Sequence, residues 1–408
     1  MKVSTMRLVD RWLGIPVCLV LTLHRKLMNV VRRKSVDKTE RILFVKLAEQ
    51  GATVLAYPAL RRAVQMVGRE NVYFMVFQEN RFILDVMALI PEENVIAINT
   101  RGLVNFILGT FRAIARARQL KIDSAIDFEF FARSSAILTY LSCRGKRVGY
   151  HSYAGEASYR GDLMTHRLIF NPHMHTSKSF LMMVEALNVP AEKLPAFDMR
   201  VPELPTGHAE FHPQTSEVEE VRATLHREMN GNGAVPVILL NANASDLLPL
   251  RRWSNERYIE LARRLLDKYP DLYIAFTGAP EEAPAVAPIV QSIGSPRCFS
   301  MAGKTTLRQL LILYSLAELL VTNDSGPAHF ATLTPIDVVV LFGPETPALF
   351  AALTSRTHVL WSGTVCSPCV SAYNDRRSLC QDNVCMKNIT VDQVFDTVCR
   401  VFEARRAK

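Results

Sequence analysis

The chain has 408 residues, which is more than one ordinary hydrophobic core needs and suits two domains. Apolar residues make up 49% of it, as in a globular protein, and no apolar run approaches the roughly 20 residues that span a bilayer. The formal net charge of +9 suits an anionic partner. No RNA-recognition, zinc-finger or homeodomain pattern is present, so nucleic acid is disfavoured as that partner.

A basic N-terminal extension is predicted for residues 1–40. An apolar run from Ile15 to Leu23 precedes a series of basic residues, which are His24, Arg25, Lys26, Arg32, Arg33, Lys34 and Lys38. A signal peptide has its basic residues first and a small-residue cleavage site last, so this pattern argues against secretion. The pattern favours a helix lying in a membrane interface with its cations toward anionic headgroups. The alternative is a basic segment packed on the body of the protein.

Strands and helices alternate from residue 41 onward. Compact apolar runs predict strands at 41–47, 71–77, 94–99 and 124–129, separated by helices that include 53–67 and a basic helix through Arg118. Short apolar strands separated by helices are typical of a parallel sheet covered on both faces. A segment rich in Pro, Gly and charge then predicts a linker at 201–235.

A second alternation follows the linker. It predicts strands at 237–243, 272–278, 298–303, 318–323 and 336–343, with helices at 255–269, 284–293 and 327–333 and from Leu307. The chain closes with a helix from Val391, where Thr390 and Gln393 could form a capping box. The predicted fold class is α/β, with two doubly wound domains and a cleft between them.

A polar loop ends the predicted strand 318–323. It reads Asn323-Asp324-Ser325-Gly326 and is followed by Pro327, which suits the first position of a helix. Because it has no side chain, Gly326 would let a ligand approach the backbone closely. The amides of the first helical turn, with Ser325 and His329, predict an anion site suited to a diphosphate. The alternative is an ordinary capped helix with a hydrogen-bonded histidine.

The sequence around this loop resembles the signature of glycosyltransferase family 9, the heptosyltransferase family of lipopolysaccharide assembly. The resembling stretch is TNDSGPAHFA…TPIDVVVLFGP. Three other stretches resemble the family in the same order, namely RILFVKLAEQGATVLAYPALRRA, AIDFEFFARSSAILTYLSCRGKRVGY and NANASDLLPLRRWSNERYIELARRLLDKYP. The resemblance covers most of residues 41–395.

The resemblance implies a GT-B fold, in which two Rossmann-like domains face each other across a cleft, and inverting transfer without a metal. It implies an acceptor domain at 41–200, a nucleotide-sugar domain at 236–390 and a final helix at 391–408. The residues it assigns to the donor are Asp324, Ser325, Gly326 and His329 at the diphosphate, Arg251 or Arg252 before the Trp, and Glu281 or Glu282 at the ribose. For the last four, a solvated loop is an equal alternative.

Inverting transfer requires a base for the acceptor hydroxyl and stabilisation of the leaving diphosphate. In the family the usual base is a carboxylate immediately after the Gly of the first loop, but here Ala52 follows Gly51. Glu49, in the same loop, is therefore the candidate base, and Asp127 at the end of the fourth strand is the second choice. Lys46 and Gly51 are the candidate acceptor contacts. A surface-loop Glu49 and a structural Lys46 are the alternatives.

Four of the eight cysteines cluster between residues 366 and 385. They are Cys366, Cys369, Cys380 and Cys385. Four thiolates at this spacing predict a structural zinc site, although the second pair is wider than the usual two-residue gap. An iron–sulfur cluster, two disulfides or free thiols are the alternatives. The absence of a secretion signal favours a reducing cytoplasm, in which structural disulfides are rare.

The expected function is an inverting glycosyltransferase that needs no metal for catalysis. It would move a sugar such as heptose from a nucleotide-sugar, with ADP favoured, to a lipid-linked glycan such as lipopolysaccharide core. Its expected location is peripheral, at the membrane surface on the cytoplasmic face of a bacterial inner membrane. The missing loop carboxylate suggests a non-catalytic nucleotide-sugar-binding protein as the alternative. A nicotinamide-dependent oxidoreductase is disfavoured because no G-x-G-x-x-G follows the first strand.

Overall fold

Parallel six-stranded sheets form the centre of two separate units of the chain. The computed structural model describes residues 10–31, 38–196, 198–205, 207–231, 235–244 and 248–407. The first unit comprises the described residues up to Gly207 together with Ser371–Arg376. The second comprises His208–Val370 and the chain from Arg377 onward.

The first unit alternates strands and helices as its apolar runs predict. Its strands are β1 (Ile42–Val45), β2 (Val72–Phe77), β3 (Val95–Ile98), β4 (Ser124–Asp127), β5 (Lys146–Tyr150) and β6 (His166–Leu168), in the sheet order β3-β2-β1-β4-β5-β6. Its helices are α1 (Gly14–Val31), α2 (Gln50–Leu55), α3 (Tyr57–Val67), α4 (Phe82–Met87), α5 (Leu103–Gln119), α6 (Arg133–Ser142) and α7 (Thr176–Glu185). In the central strand β1 all four residues are buried.

Helices cover both faces of this sheet because the strand side chains alternate between them. Leu43 and Val45 of β1 share a core cluster with Ala113 and Ala117 of α5. On the opposite face the ring of Phe44 contacts Phe128, and Phe128 stacks on Phe180 of α7. An apolar strand between two helical layers is the arrangement that its continuous hydrophobic run predicts.

The second unit repeats this design. Its strands are β7 (Val237–Asn241), β8 (Tyr273–Phe276), β9 (Cys298–Ser300), β10 (Leu319–Asn323), β11 (Asp337–Phe342) and β12 (Thr357–Trp361), in the sheet order β12-β11-β10-β7-β8-β9. Its helices are α8 (Thr215–Glu228), α9 (Asn255–Lys268), α10 (Ala283–Ile293), α11 (Leu307–Leu316), α12 (Gly326–Ala331), α13 (Pro347–Phe350), α14 (Val384–Lys387) and α15 (Val391–Arg406). All strand pairs in both sheets are parallel.

The start of the last helix confirms the predicted capping box. The Thr390 hydroxyl accepts a hydrogen bond from the Gln393 amide at 3.2 Å, and the Gln393 side chain accepts one from the Thr390 amide at 3.0 Å. Two amides that the helix itself leaves without acceptors are thereby satisfied.

The segment predicted as a linker, 201–235, contains a helix in place of a continuous loop. Helix α8 buries Val221 and Leu225, and the Glu217 carboxylate pairs with Arg308 of α11 at 2.5 Å. The linker prediction used composition alone. Composition does not reveal a short amphipathic helix whose apolar side packs within the second unit.

The predicted N-terminal extension lies partly outside the described residues, and the part outside them includes Arg32, Arg33 and Lys34. Helix α1 packs on the first unit with Cys18 fully buried. The His24 ring nitrogen Nδ1 lies 2.8 Å from the Tyr140 hydroxyl, and Arg25 pairs with Asp162. In the described part of the chain, no helix combines the length and the apolarity needed to cross a membrane.

Candidate functional site

Asn323, at the carboxyl end of β10, ties two strand ends of the second unit together. Its buried side-chain oxygen accepts from the Trp253 amide at 3.1 Å and from the Tyr258 hydroxyl at 3.3 Å. Its side-chain nitrogen donates to the Ala242 carbonyl at 3.2 Å, beyond the end of the neighbouring strand β7. These bonds fix the loop that carries the predicted donor residues, so Asn323 is a scaffold for the site.

Arg251, Asp324 and Glu345 form a nearly buried charge cluster beside this loop. One terminal nitrogen of Arg251 (Nη1) lies 3.8 Å from Asp324 Oδ2 and 3.7 Å from Glu345 Oε2. The three residues come from the segments after β7, β10 and β11, which are adjacent in the sheet. Parallel strands deliver such segments to one edge, where ligands of doubly wound sheets bind.

Glu345 is not among the site residues predicted from sequence, although the sequence contains a signal for it. In the stretch LFGPE, a Gly and a Pro follow the end of β11. A Gly and a Pro also follow the end of β10, in the Asp324 loop. Because β10 and β11 are neighbours in the sheet, the polar residues after their ends meet. A search for polar residues after every predicted strand would have found it.

Arg252 serves a different purpose from its neighbour Arg251. The Arg252 guanidinium donates to the Ala244 carbonyl at 2.9 Å and 3.3 Å, inside its own loop. Of the two arginines that the resemblance offered for the donor, the structure therefore brings Arg251 to Asp324 and uses Arg252 to shape the loop.

The predicted ribose carboxylates Glu281 and Glu282 lie on a short turn after β8. The Glu282 carboxylate accepts from the Ala279 amide at 2.7 Å and so caps that turn. Glu281 is exposed. In the sheet, β7 lies between β8 and β10. Glu281 and Glu282 therefore follow a strand at the same carboxyl edge as the charge cluster, but two strands away from the Asp324 loop.

The predicted diphosphate residues lie where β10 passes into α12. Ser325 is the residue before the helix, and its hydroxyl donates to the Asn323 carbonyl at 3.2 Å. A Cβ atom on Gly326 would lie 3.2 Å from the Phe330 ring, so a larger residue would crowd this turn. His329 is buried within the helix. The structure thus groups Asp324, Ser325 and His329 at the carboxyl end of β10.

Lys46 is the centre of a second charge network, at the carboxyl end of β1 in the first unit. It is fully buried, and its ammonium lies 2.9 Å from Glu129 Oε2 and 3.1 Å from Glu49 Oε2. Burial by itself lowers the pKa of Lys46, but Glu129 and Glu49 outweigh that effect and raise the pKa. A fully buried Lys46 positions these carboxylates and is inaccessible to an acceptor, which differs from the predicted contact.

Glu129 fixes the backbone of the loop that carries Glu49. Its second carboxylate oxygen accepts from the amides of Leu47 at 2.9 Å and Ala48 at 3.2 Å. Glu129 is not among the site residues predicted from sequence, although it follows β4, the direct neighbour of β1. Its position as the last residue of the predicted strand 124–129 was the available signal.

Glu49 adopts a left-handed backbone conformation, with φ 67° and ψ 76°, immediately before α2. Such a conformation costs roughly 1–3 kcal/mol for a residue other than glycine and often marks a functional site. The side chain is part-exposed and pairs with both Lys46 and Arg376. Arg376 belongs to the segment Ser371–Arg376 of the first unit. Glu49 is therefore an oriented carboxylate and not an unconstrained surface side chain.

Asp127, the second candidate base, is fully buried at the end of β4. Its carboxylate pairs with Arg160, accepts from the Ser135 hydroxyl at 3.0 Å and accepts from the Glu129 amide at 3.0 Å. Burial raises the pKa of this carboxyl to about 6, although Arg160 opposes the rise. Asp127 is thus enclosed by its protein partners, whereas the Glu49 side chain is part-exposed.

Gly51 and Ala52 lie inside α2, since that helix begins at Gln50 and not near residue 53 as predicted. Gly51 is buried, and its contact with an acceptor stays a prediction. Ala52 is part-exposed in the first turn. Position 52 carries Ala and not the expected Asp. The nearest preceding carboxylate along the chain is that of Glu49.

The four clustered cysteines line one cavity of about 70 Å³ in the second unit. Across the described residues, no group of three or more His, Cys, Asp or Glu side chains is arranged to hold a metal ion. Cys366 and Cys380 are exposed, and the Cys380 thiol donates to the Asp382 carbonyl at 2.9 Å. The predicted zinc site is not supported, because spacing along the chain does not fix the approach of the sulfur atoms in space.

Known proteins share both sequence and fold with the chain. Lipopolysaccharide heptosyltransferase 2 of Salmonella typhimurium is 30% identical over 115 residues, which are 28% of this chain and 32% of that relative. The matched stretch thus spans about a third of the curated relative. The structure of E. coli ADP-heptose lipopolysaccharide heptosyltransferase II has a TM-score of 0.66 at 18% identity, covering 90% of this chain and 99% of that one.

A second solved structure has the same fold. E. coli heptosyltransferase WaaC with ADP-2-deoxy-2-fluoro heptose has a TM-score of 0.57 at 15% identity, covering 88% of this chain and 99% of that one. Together with the two parallel sheets, these matches confirm the predicted GT-B fold class. The sequence model of glycosyltransferase family 9 (heptosyltransferase) matches residues 112–378, which is more than half of the chain. The chain therefore belongs to glycosyltransferase family 9.

Proposed function

We propose that this protein is an inverting, metal-independent glycosyltransferase that moves a sugar from a nucleotide-sugar to a lipid-linked glycan. The donor we favour is an ADP-sugar such as ADP-heptose, and the acceptor we favour is lipopolysaccharide core. Family membership supports the reaction class, and the names of the similar E. coli proteins support the donor. The single observation that carries the proposal is the Arg251 cluster at the carboxyl end of the second sheet.

Arg251 is the proposed contact for the donor diphosphate. Its guanidinium is held between Asp324 and Glu345, and both distances, 3.8 Å and 3.7 Å, are longer than a charge-assisted hydrogen bond. An incoming phosphate could accept closer hydrogen bonds from the same guanidinium. The Ser325 hydroxyl would add a donor by turning from the Asn323 carbonyl to the phosphate, and the Gly326 amide at the start of α12 would add another. The charge on the leaving diphosphate would be stabilised there.

Glu49 is the proposed base for the acceptor hydroxyl. It is part-exposed and is oriented by Lys46 and Arg376, whereas Asp127 is enclosed. In the reaction the acceptor oxygen would attack the anomeric carbon as the bond to the diphosphate breaks, and the hydroxyl proton would pass to Glu49. A lipid-linked acceptor would place this reaction at the cytoplasmic face of the inner membrane.

A non-catalytic nucleotide-sugar-binding protein is the second candidate. The observation that favours it is Ala52, which stands where the family carries its usual carboxylate. The two candidates differ in one measurable respect. A transferase releases the nucleotide when donor and membrane extract are mixed, and a binding protein releases none.

A screen of donors by thermal unfolding tests the donor class. We expect an ADP-sugar to raise the melting temperature more than UDP-, GDP- or CMP-sugars, because selective binding to the native state stabilises it, by about 2.7 kcal/mol at a ligand concentration of 100 Kd. Equal shifts with all four nucleotides, or a larger shift with another one, would reject the ADP-sugar assignment.

Matched arginine variants test the proposed donor contact. Arg251→Gln should weaken donor binding by about tenfold to a hundredfold, since a hydrogen bond to a charged group contributes roughly 1.5–3 kcal/mol. Arg252→Gln is the control, because that side chain donates to the Ala244 carbonyl, and its effect should be smaller. Binding measured by calorimetry that falls equally in both variants would place the diphosphate elsewhere.

A further inference from the structure

Two helices of the first unit carry large apolar side chains that are exposed. On α1 these are Ile15, Val17, Leu19, Val20, Leu23 and Leu27. On α5 they are Leu103, Val104, Ile107, Leu108 and Phe111. Leu23 is 62% exposed and Phe111 is 67% exposed. Large apolar side chains exposed in this number on two helices indicate an interaction surface.

Both helices belong to one layer, because α6 packs against each of them. The inner side of α1 holds Cys18, which shares a cluster with Tyr140 of α6. The inner side of α5 holds Ala113 and Ala117, which share a cluster with Leu138 of α6. The apolar side chains that remain exposed therefore lie on the outer side of the same helical layer.

The charges on this layer have one sign. Neither Gly14–Val31 nor Leu103–Gln119 contains an Asp or a Glu. Lys26, Arg112 and Arg116 are exposed on these helices. A groove of about 320 Å³ between α5 and the edge strand β3 is lined by Leu108, Arg112 and Arg116 among others. Apolar side chains beside cations, on helices that themselves contain no Asp or Glu, complement an anionic lipid surface.

We infer that α1 and α5 together form a membrane-docking face for an anionic bilayer. Leu23 and Phe111 lie among the apolar residues that enter the interface, and Arg112 and Arg116 meet the headgroup phosphates. The inference deepens the proposed membrane location by adding α5, a helix inside the first unit, to the N-terminal segment. It rests on that location but not on sugar transfer, so vesicle binding and nucleotide release report on the two proposals separately.

Sedimentation of the full chain with lipid vesicles tests this face. We expect the protein to bind vesicles of phosphatidylcholine mixed with phosphatidylglycerol, and to bind phosphatidylcholine alone much more weakly. Leu23→Glu and Phe111→Glu should each weaken binding to the mixed vesicles by about tenfold or more. Leu353→Glu is the matched control, because Leu353 is 57% exposed in the second unit, and its binding should stay as in the wild type.

The binding of the variants shows whether both helices contribute to the membrane-docking face. Loss in both helix variants, with an unchanged melting temperature and an unchanged control, supports the composite face. Normal binding by Phe111→Glu would remove α5 from the face even if Leu23→Glu is impaired. The membrane inference is wrong if the wild type does not bind vesicles but forms a dimer in sedimentation velocity. If Phe111→Glu is then a monomer, the face contacts a second copy of the chain.

Discussion

Replacing Glu49 by glutamine should lower kcat by about 100- to 10,000-fold, the range that a positioned general base contributes. Glutamine has nearly the shape of glutamate but cannot accept the hydroxyl proton. Donor binding should stay intact, because the proposed donor residues belong to the second unit and Glu49 to the first. The measurement is the rate of nucleotide release with donor and lipid-linked acceptor, together with donor affinity by calorimetry.

The control for this variant is Glu92→Gln. Glu92 is an exposed glutamate of the same unit, and its side chain is 84% accessible. Turnover should not change there. If Glu49→Gln turns over at nearly the wild-type rate, Glu49 is not the base. If the wild type itself releases no nucleotide while it binds donor, the binding-protein alternative is correct.

Replacing Lys46 by methionine should destabilise the first unit by about 3–5 kcal/mol, because removing one partner of a buried ion pair leaves uncompensated charge. Methionine fills much of the same volume, so the loss would report on the charge and not on a cavity. Glu129 would lose its cation while it still accepts from the amides of Leu47 and Ala48. Urea unfolding gives the free energy directly.

An exposed lysine of the same unit provides the comparison. Lys38 pairs with Glu40 at 2.7 Å, but both side chains are largely exposed, so Lys38→Met should leave the free energy of unfolding nearly unchanged. Similar losses in the two variants would mean that burial of Lys46 does not strengthen its pairing.

The stabilisation from Lys46 should also depend on pH. Its pKa is raised in the folded protein above the ordinary value of 10.5. The contribution is therefore fully present below pH 10.5 and is lost as the pH rises through the folded-state pKa. The difference in the free energy of unfolding between wild type and Lys46→Met should decrease in strongly alkaline buffer and stay constant near neutral pH.

Local sequence predicted the strands well because their signal is local. The apolar run ILFV forms a buried strand between two helical layers, and the polar segments after β1 and β10 carry charged residues of the candidate sites, as expected. The capping box at Thr390 is also a contact between residues three apart. In the segment 201–235 the prediction used amino-acid composition and not hydrophobic periodicity, and it missed helix α8.

Sequence spacing predicted the cysteine cluster less well. Four cysteines within 20 residues reach one cavity, but the structure does not arrange them as metal ligands. Ligand geometry depends on the path of the loop that joins them. That path is set by packing, and the intervals between cysteines do not specify it.

Residue type and short-range periodicity are enough to specify the α/β architecture, the family resemblance and the charge after β1 and β10. The folded structure is needed to show that Arg251 and not Arg252 meets Asp324, that Glu129 and Arg376 hold Lys46 and Glu49, and which side of α5 is covered. Those partners lie far apart in sequence. Strand order and helix packing bring them together, and no local pattern records which distant residues will be neighbours.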